Sequence, residues 1–257
     1  MATKKRGRGR PNAVEELVSS VDSQFQPIEL LKPVSHSATA GAQERLTAAL
    51  SSVNNVLLTM NLSRAVDRKL KKKELRGHLS ESEVDILRAV IVFAGAGLDA
   101  ALKKLIQDTV RDIAVRNPLA RKKFLDFLDR HMAGTDTPVN RRLLAEVLID
   151  GRGTQAALLD RYERDLTGDS LQSSEQVSVV CGALAIEDRT VRERLKSGAL
   201  LDQMFKARND IVHELDLTDT GRKPRNLKDV RAFAVEALEV TQEIINAVGR
   251  VLSQPAH

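Results

Sequence analysis

From about residue 41 onward, apolar side chains recur at intervals of three and four, the spacing that lines one face of an α-helix. Leu46, Leu50, Val53, Leu57, Met60 and Leu62 mark the first such stretch, which runs into the cationic segment Arg68–Arg76 and stops at Gly77. Ser80 and Glu83 have the spacing of a capping box, opening a long apolar helix over about 81–116 that ends before Pro118. Amphipathic helices are predicted over about 119–132, 138–149, 154–166 and 172–186. Another covers about 190–216, with a candidate break at Ser197-Gly198. A last one spans about 226–252, after the turn-rich stretch Asp219 to Pro224. No segment alternates with period two between β-branched runs and turn residues, and no internal repeat stands out. The expected fold is an all-α antiparallel bundle. Residues 1–40, rich in Gly, Pro, Ser and polar side chains, read as a flexible, disordered basic tail, 41–78 as a long N-terminal helix and 79–257 as the main helical domain.

Charge changes this picture by its location. Lys4, Lys5, Arg6, Arg8 and Arg10 stand in the first eleven residues without an acid, and the whole chain carries +5. The remainder is therefore neutral, so the basic character belongs to the tail and the folded body is no polycationic surface. Aromatic side chains are scarce, with six Phe, one Tyr and no Trp, which argues against a base-stacking platform for single strands. Cys181 is the only cysteine, excluding an internal disulfide or a cysteine zinc site. No apolar run reaches the length of a membrane span and no signal-peptide core follows the N-terminus, so a cytoplasmic location without membrane contact is expected.

Three motifs carry candidate chemistry. Ile91 to Ala100 fits a strand–G-x-G-x-x-A–helix expression for dinucleotide binding, but that fingerprint needs a parallel sheet that this chain does not offer. Gly95, Ala96, Gly97 and Ala100 read better as small residues that let a neighbouring helix approach a buried one. The five histidines lack metal-ligand spacing, so no metal and no cofactor is expected. The clustered cations between Arg68 and Arg76 suit a solvated helix end and offer a secondary phosphate contact. In the tail, Lys4-Lys5-Arg6-Gly7-Arg8-Gly9-Arg10-Pro11 resembles an AT-hook, whose core is Arg8-Gly9-Arg10-Pro11 here. That resemblance implies A·T-rich DNA as a partner, with arginines reaching along a narrow minor groove.

The most chemical stretch is Arg208-Asn209-Asp210-Ile211-Val212-His213. It sets a cation, an amide and an imidazole on one helical segment: a phosphate-binding charge, a hydrogen-bonding group and a proton carrier near neutral pH. On a helix Asn209 and His213 share a face, while Arg208 must fold back to join them. Met204, Ala207, Ile211 and Leu215 form the expected apolar stripe behind them.

This R-N-x-x-x-H arrangement, with the small-residue helix over 81–116, the segment Leu171 to Glu187 and the closing helix, resembles the HEPN superfamily of α-helical ribonucleases, in the branch associated with RiboL-PSP domains. The resemblance covers roughly residues 80–252, and the six-residue motif is its specific part. It implies a metal-independent endoribonuclease that works as a homodimer, with Arg208, Asn209 and His213 catalytic at a composite cleft. It further implies a toxin or antiviral defence effector, with an antitoxin or defence-system partner. A second reading stays open at this point: a catalytically inactive HEPN dimer acting as a DNA- or RNA-binding regulator or adaptor.

Overall fold

The computed structural model describes residues 25–71, 79–132 and 153–254. The AT-hook-like stretch and the helix expected at 138–149 lie outside these residues, as do the side chains of the Arg68–Arg76 run. The described chain is all-α: α1 (Ala40–Lys71), α2 (Glu81–Arg116), α3 (Pro118–Met132), α4 (Thr154–Gly168), α5 (Ser174–Ala183), α6 (Arg189–Arg194), α7 (Leu200–Glu214) and α8 (Leu227–Ser253). The one sheet among the described residues is an antiparallel hairpin of two-residue strands, β1 (Leu217–Thr218) and β2 (Gly221–Arg222), between α7 and α8.

Local chemistry sets the ends of α2. The Ser80 hydroxyl accepts from the Glu83 N–H at 3.3 Å, and the Glu83 carboxylate accepts from the Ser80 N–H at 2.7 Å, so two otherwise orphaned donors are satisfied reciprocally. The helix stops at Asn117, whose side chain then accepts from Leu119 N at 2.9 Å and Ala120 N at 3.3 Å in the first turn of α3. The predicted break before α7 is real: Gly198 takes φ +77°, and the Asp202 carboxylate turns back to accept its N–H at 3.0 Å. That bond, with Lys206 one turn on, holds the Asp202 carboxyl below its ordinary range.

α2 is the axis of the molecule. Leu87, Val90, Ile91, Ala94, Leu98, Leu102, Leu105, Ile106 and Val110 are all solvent-inaccessible, and α1, α3, α4, α7 and α8 pack around them. The Gly-x-Gly segment lies wholly inside this helix, so no strand precedes it and the nucleotide fingerprint lacks its frame. Its glycines do separate jobs. A Cβ at Gly97 would fall 2.2 Å from the Ala49 methyl of α1, so this position sets how closely α1 lies against α2. A Cβ at Gly95 would meet the Arg208 stem at 3.3 Å, which ties this first glycine to α7.

Two differences from the sequence pattern are physical in origin. Residues 25–36, grouped by composition with the tail, are pinned to the body: Ile28 is buried in the core and its backbone is hydrogen-bonded to Asn54 of α1. Their anchors are side-chain amides from helices far away in sequence, which leave no periodic signal. Helix α1 also shares one hydrophobic core with everything that follows, since Leu46, Val53, Leu57 and Met60 pack in the same cluster as α2 and α8.

Replacing Gly97 by Val should force α1 off α2. The expected cost is about 3 kcal/mol, at the upper end for overpacked cores, read as a lowered denaturation midpoint with helicity retained. A neutral substitution would show that the α1–α2 contact is not set by this glycine.

Candidate active site

Helix α7 buries Leu201, Met204, Phe205, Ala207 and Ile211 against the core. That leaves Arg208 and Asn209 half-buried and His213 exposed on the opposite side. The apolar stripe differs from expectation at one position. Leu215 is 64 % exposed, because the helix has already ended: Leu215 takes φ +53° and Asp216 φ +61°, which leaves the Leu215 side chain outside and brings Asp216 in. This left-handed pair closes the helix through Leu215 N to Ile211 O at 3.1 Å and Asp216 N to Asp210 O at 2.9 Å.

Arg208 and Asn209 are brought together. The Arg208 stem runs over Gly95 of α2, and its Nη1 donates to the Asn209 side-chain oxygen at 3.1 Å. The guanidinium thus turns toward Asn209, and Asn209 shares its helix face with His213 one turn later. Arg208 keeps further N–H donors for an anion, and Asn209 keeps its amide N–H groups.

What fixes this end of α7 is a charge cluster that the sequence pattern did not single out. The Asp216 carboxylate is fully buried and accepts two bonds from Arg225, at 2.6 and 2.9 Å, and one from Arg88 of α2 at 3.0 Å. Burial pushes its carboxyl up, but the hydrogen bonds and charge of the two arginines outweigh that and hold it below the usual range. Arg88 also donates to Lys223 O at 2.9 Å and to Asp85 at 2.8 Å. Lys223 N in turn donates to Asp216 O at 2.8 Å, and Lys223 Nζ pairs with Asp210 inside the motif at 2.5 Å. Arg222 reaches Asp85 at 2.9 Å. The residues of this cluster on different elements come from three regions of the chain, so only the folded structure assembles them.

Other candidate groups are placed elsewhere. Of the histidines, His36 caps the short turn Ser37–Thr39, and His131 stacks on Phe127 with ring centroids 4.1 Å apart. His78 and His257 lie outside the described residues. Among the described residues no cluster of His, Cys, Asp or Glu could hold a metal ion, and no helix is long and apolar enough to cross a membrane. An open groove of about 690 Å³ between α3, α4 and α5 is lined by Lys123, Asp126, Arg130, Tyr162 and Asp165, and by no residue of α7. Burial pushes its Tyr162 hydroxyl up to about 12, so that group holds its proton at neutral pH. In comparisons with family models, curated proteins and solved structures, nothing matches this chain.

Replacing Asp216 with Ala removes the carboxylate that two largely buried guanidiniums share. The expected loss is about 3–5 kcal/mol of stability, with Asp216→Asn losing less, measured by chemical denaturation. Its folded carboxyl titrates below the unfolded value of about 3.9, so the stability it contributes is complete above that pH and is lost as pH falls through the lower folded value. An Asp216→Asn protein should accordingly show a flatter stability profile below about pH 4 than the parent.

Proposed function

We propose that this chain is a metal-independent endoribonuclease of the HEPN type, using Arg208, Asn209 and His213. The observation that carries the reading is the pairing of the Arg208 guanidinium with the Asn209 amide on the open face of α7, with His213 exposed one turn further along. A cation and an amide held together suit an oxyanion of phosphate, and an exposed imidazole suits proton transfer to and from substrate. The motif lies on a helix pinned at its end, which favours a preorganised site.

One Arg–Asn–His set supplies a single proton carrier, whereas 2′-OH attack needs a base and an acid. Two subunits provide both. One His213 takes the proton from the ribose 2′-OH as its oxygen attacks phosphorus. The His213 of a second copy protonates the departing 5′-oxygen as the P–O5′ bond breaks, while the arginines stabilise the charge on the pentacovalent phosphate. The products are a 2′,3′-cyclic phosphate and a 5′-hydroxyl, and DNA, lacking the nucleophile, survives. Val212, Leu215 and Leu217, exposed by 42, 64 and 53 %, crowd apolar surface around the end of α7 and support a subunit contact there. In this reading the tail holds A·T-rich DNA, and the RNA cutting restrains growth as a toxin or defence effector does.

Purified protein incubated with RNA in EDTA tests the proposal. His213→Ala should lower cleavage by roughly two to four orders of magnitude with helicity unchanged, and Arg208→Ala by a comparable factor. Undiminished cleavage by His213→Ala ends the enzyme reading.

Mixed dimers test the shared cleft. Subunits with intact and His213→Ala motifs, purified as heterodimers, should retain far less than half of wild-type activity, because groups acting as a unit are strongly non-additive. A retained half means one self-contained site per subunit.

A further inference from the structure

The segment that leads into α1 crosses the groove between α1 and α8 in an unusual manner. Residues 25–36 contain no helix, turn or bend. Pro27 and Pro33 remove two backbone donors and bias the residues before them toward extended geometry. A chain of that kind cannot satisfy its own polar groups, and here side chains of the two helices do so. Asn54 of α1 reads both sides of one residue, accepting from Ile28 N at 2.8 Å and donating to Ile28 O at 3.0 Å. Asn246 of α8 repeats the device six residues on, accepting from Val34 N at 2.7 Å and donating to Lys32 O at 3.1 Å. Arg231, near the start of α8, donates to Gln26 O at 2.7 Å and to Pro27 O at 3.2 Å.

Side-chain recognition is confined to few positions. Ile28 is 3 % exposed, and Val34 fits a notch at Gly249, where an added Cβ would stand 3.2 Å from the Val34 Cγ1. Phe25 and Leu30 rest partly buried against the core, whereas Gln26, Pro27, Glu29, Leu31, Lys32 and Pro33 face solvent. The buried amide of Gln242 bonds to both Gln43 and Asn246, so the polar floor of the groove keeps partners of its own beneath the strap.

Backbone-reading amides at two stations, an aliphatic pocket and a glycine notch are the features by which proteins bind extended peptides. We infer that the α1–α8 groove is a peptide-binding site whose resident occupant is the chain's own segment 26–34, and that the partner it fits in trans is a second copy of this chain offering the same segment. Only one side chain of the strap is fully buried and the segment has no regular secondary structure of its own, so it belongs to the class of units that open without global unfolding. The inference is independent of any chemistry at α7.

The test uses the full chain carrying Ile28→Asp, which removes the anchor and leaves the groove intact, and a fluorescent synthetic peptide of residues 25–36. The Ile28→Asp chain should bind the peptide while the parent does not, and a glutamate-specific protease should now cut after Glu29. Adding Asn54→Ala in the same background should weaken the peptide at least tenfold, since that amide makes two of the contacts. If circular dichroism shows that Ile28→Asp does not fold, Ile28→Ala, which opens only a cavity under the strap, gives the same comparison. Equal binding of a scrambled peptide, indifference to Asn54→Ala, or no binding by a folded variant overturns the inference. So does a strap whose Glu29–Leu30 bond stays protected from that protease in both variants, since it is then a fixed part of the fold.

Discussion

A carboxylate closed off from water must be satisfied from within, and Asp216 is held by two guanidiniums that start from opposite ends of the domain in sequence. That requirement ties the end of α7 to the N-terminal part of the chain's long helix and to the approach to α8 in one step. It fixes the two left-handed residues that stop α7 after Glu214, and it fixes the path of the hairpin loop through Lys223 and Arg222. Such a buried charge cluster adds little net stability over an apolar core of equal volume, but breaking it is costly. Its contribution is to make one arrangement of the motif helix far better than its neighbours.

Close packing around α2 supplies the other half of the positioning. Gly97 lets α1 in and Gly95 lets the Arg208 stem lie flat, so two glycines two positions apart serve two different helices. A long buried helix with such gaps lets α7 keep its apolar face in the core and still present Arg208 and Asn209 at the rim, half in and half out of solvent. A guanidinium in that position is partly desolvated, and its interaction with an anion is stronger than that of a fully hydrated one.

The helices were legible because their causes are local. The capping box at Ser80 and the stop before Pro118 bound α2 at the residues the pattern indicated, and Gly198 breaks the chain where the sequence placed a break. The motif face was legible for the same reason, since spacing alone puts Asn209 and His213 together. Leu215 was misplaced in the apolar stripe because periodicity does not reveal that a helix has ended. The Arg88–Asp216–Arg225 cluster and the strap over α1 and α8 were not legible at all. Both depend on pairings between residues far apart in the sequence, Arg88 with Asp216 and Val34 with Asn246 among them, and charged or amide side chains carry no periodic mark of their partners.

Cys181 on α5 is the sole cysteine in the chain, it is buried, and burial pushes its thiol up to about 12. A thiol in that state is inert until its surroundings separate. The molecule therefore carries a built-in clock for its own breathing: the rate at which a thiol reagent marks the native protein reports how often the α5 region opens, against a background free of other cysteines. Any cysteine introduced at the surface would react on a separate, faster timescale and could be followed without removing the native one.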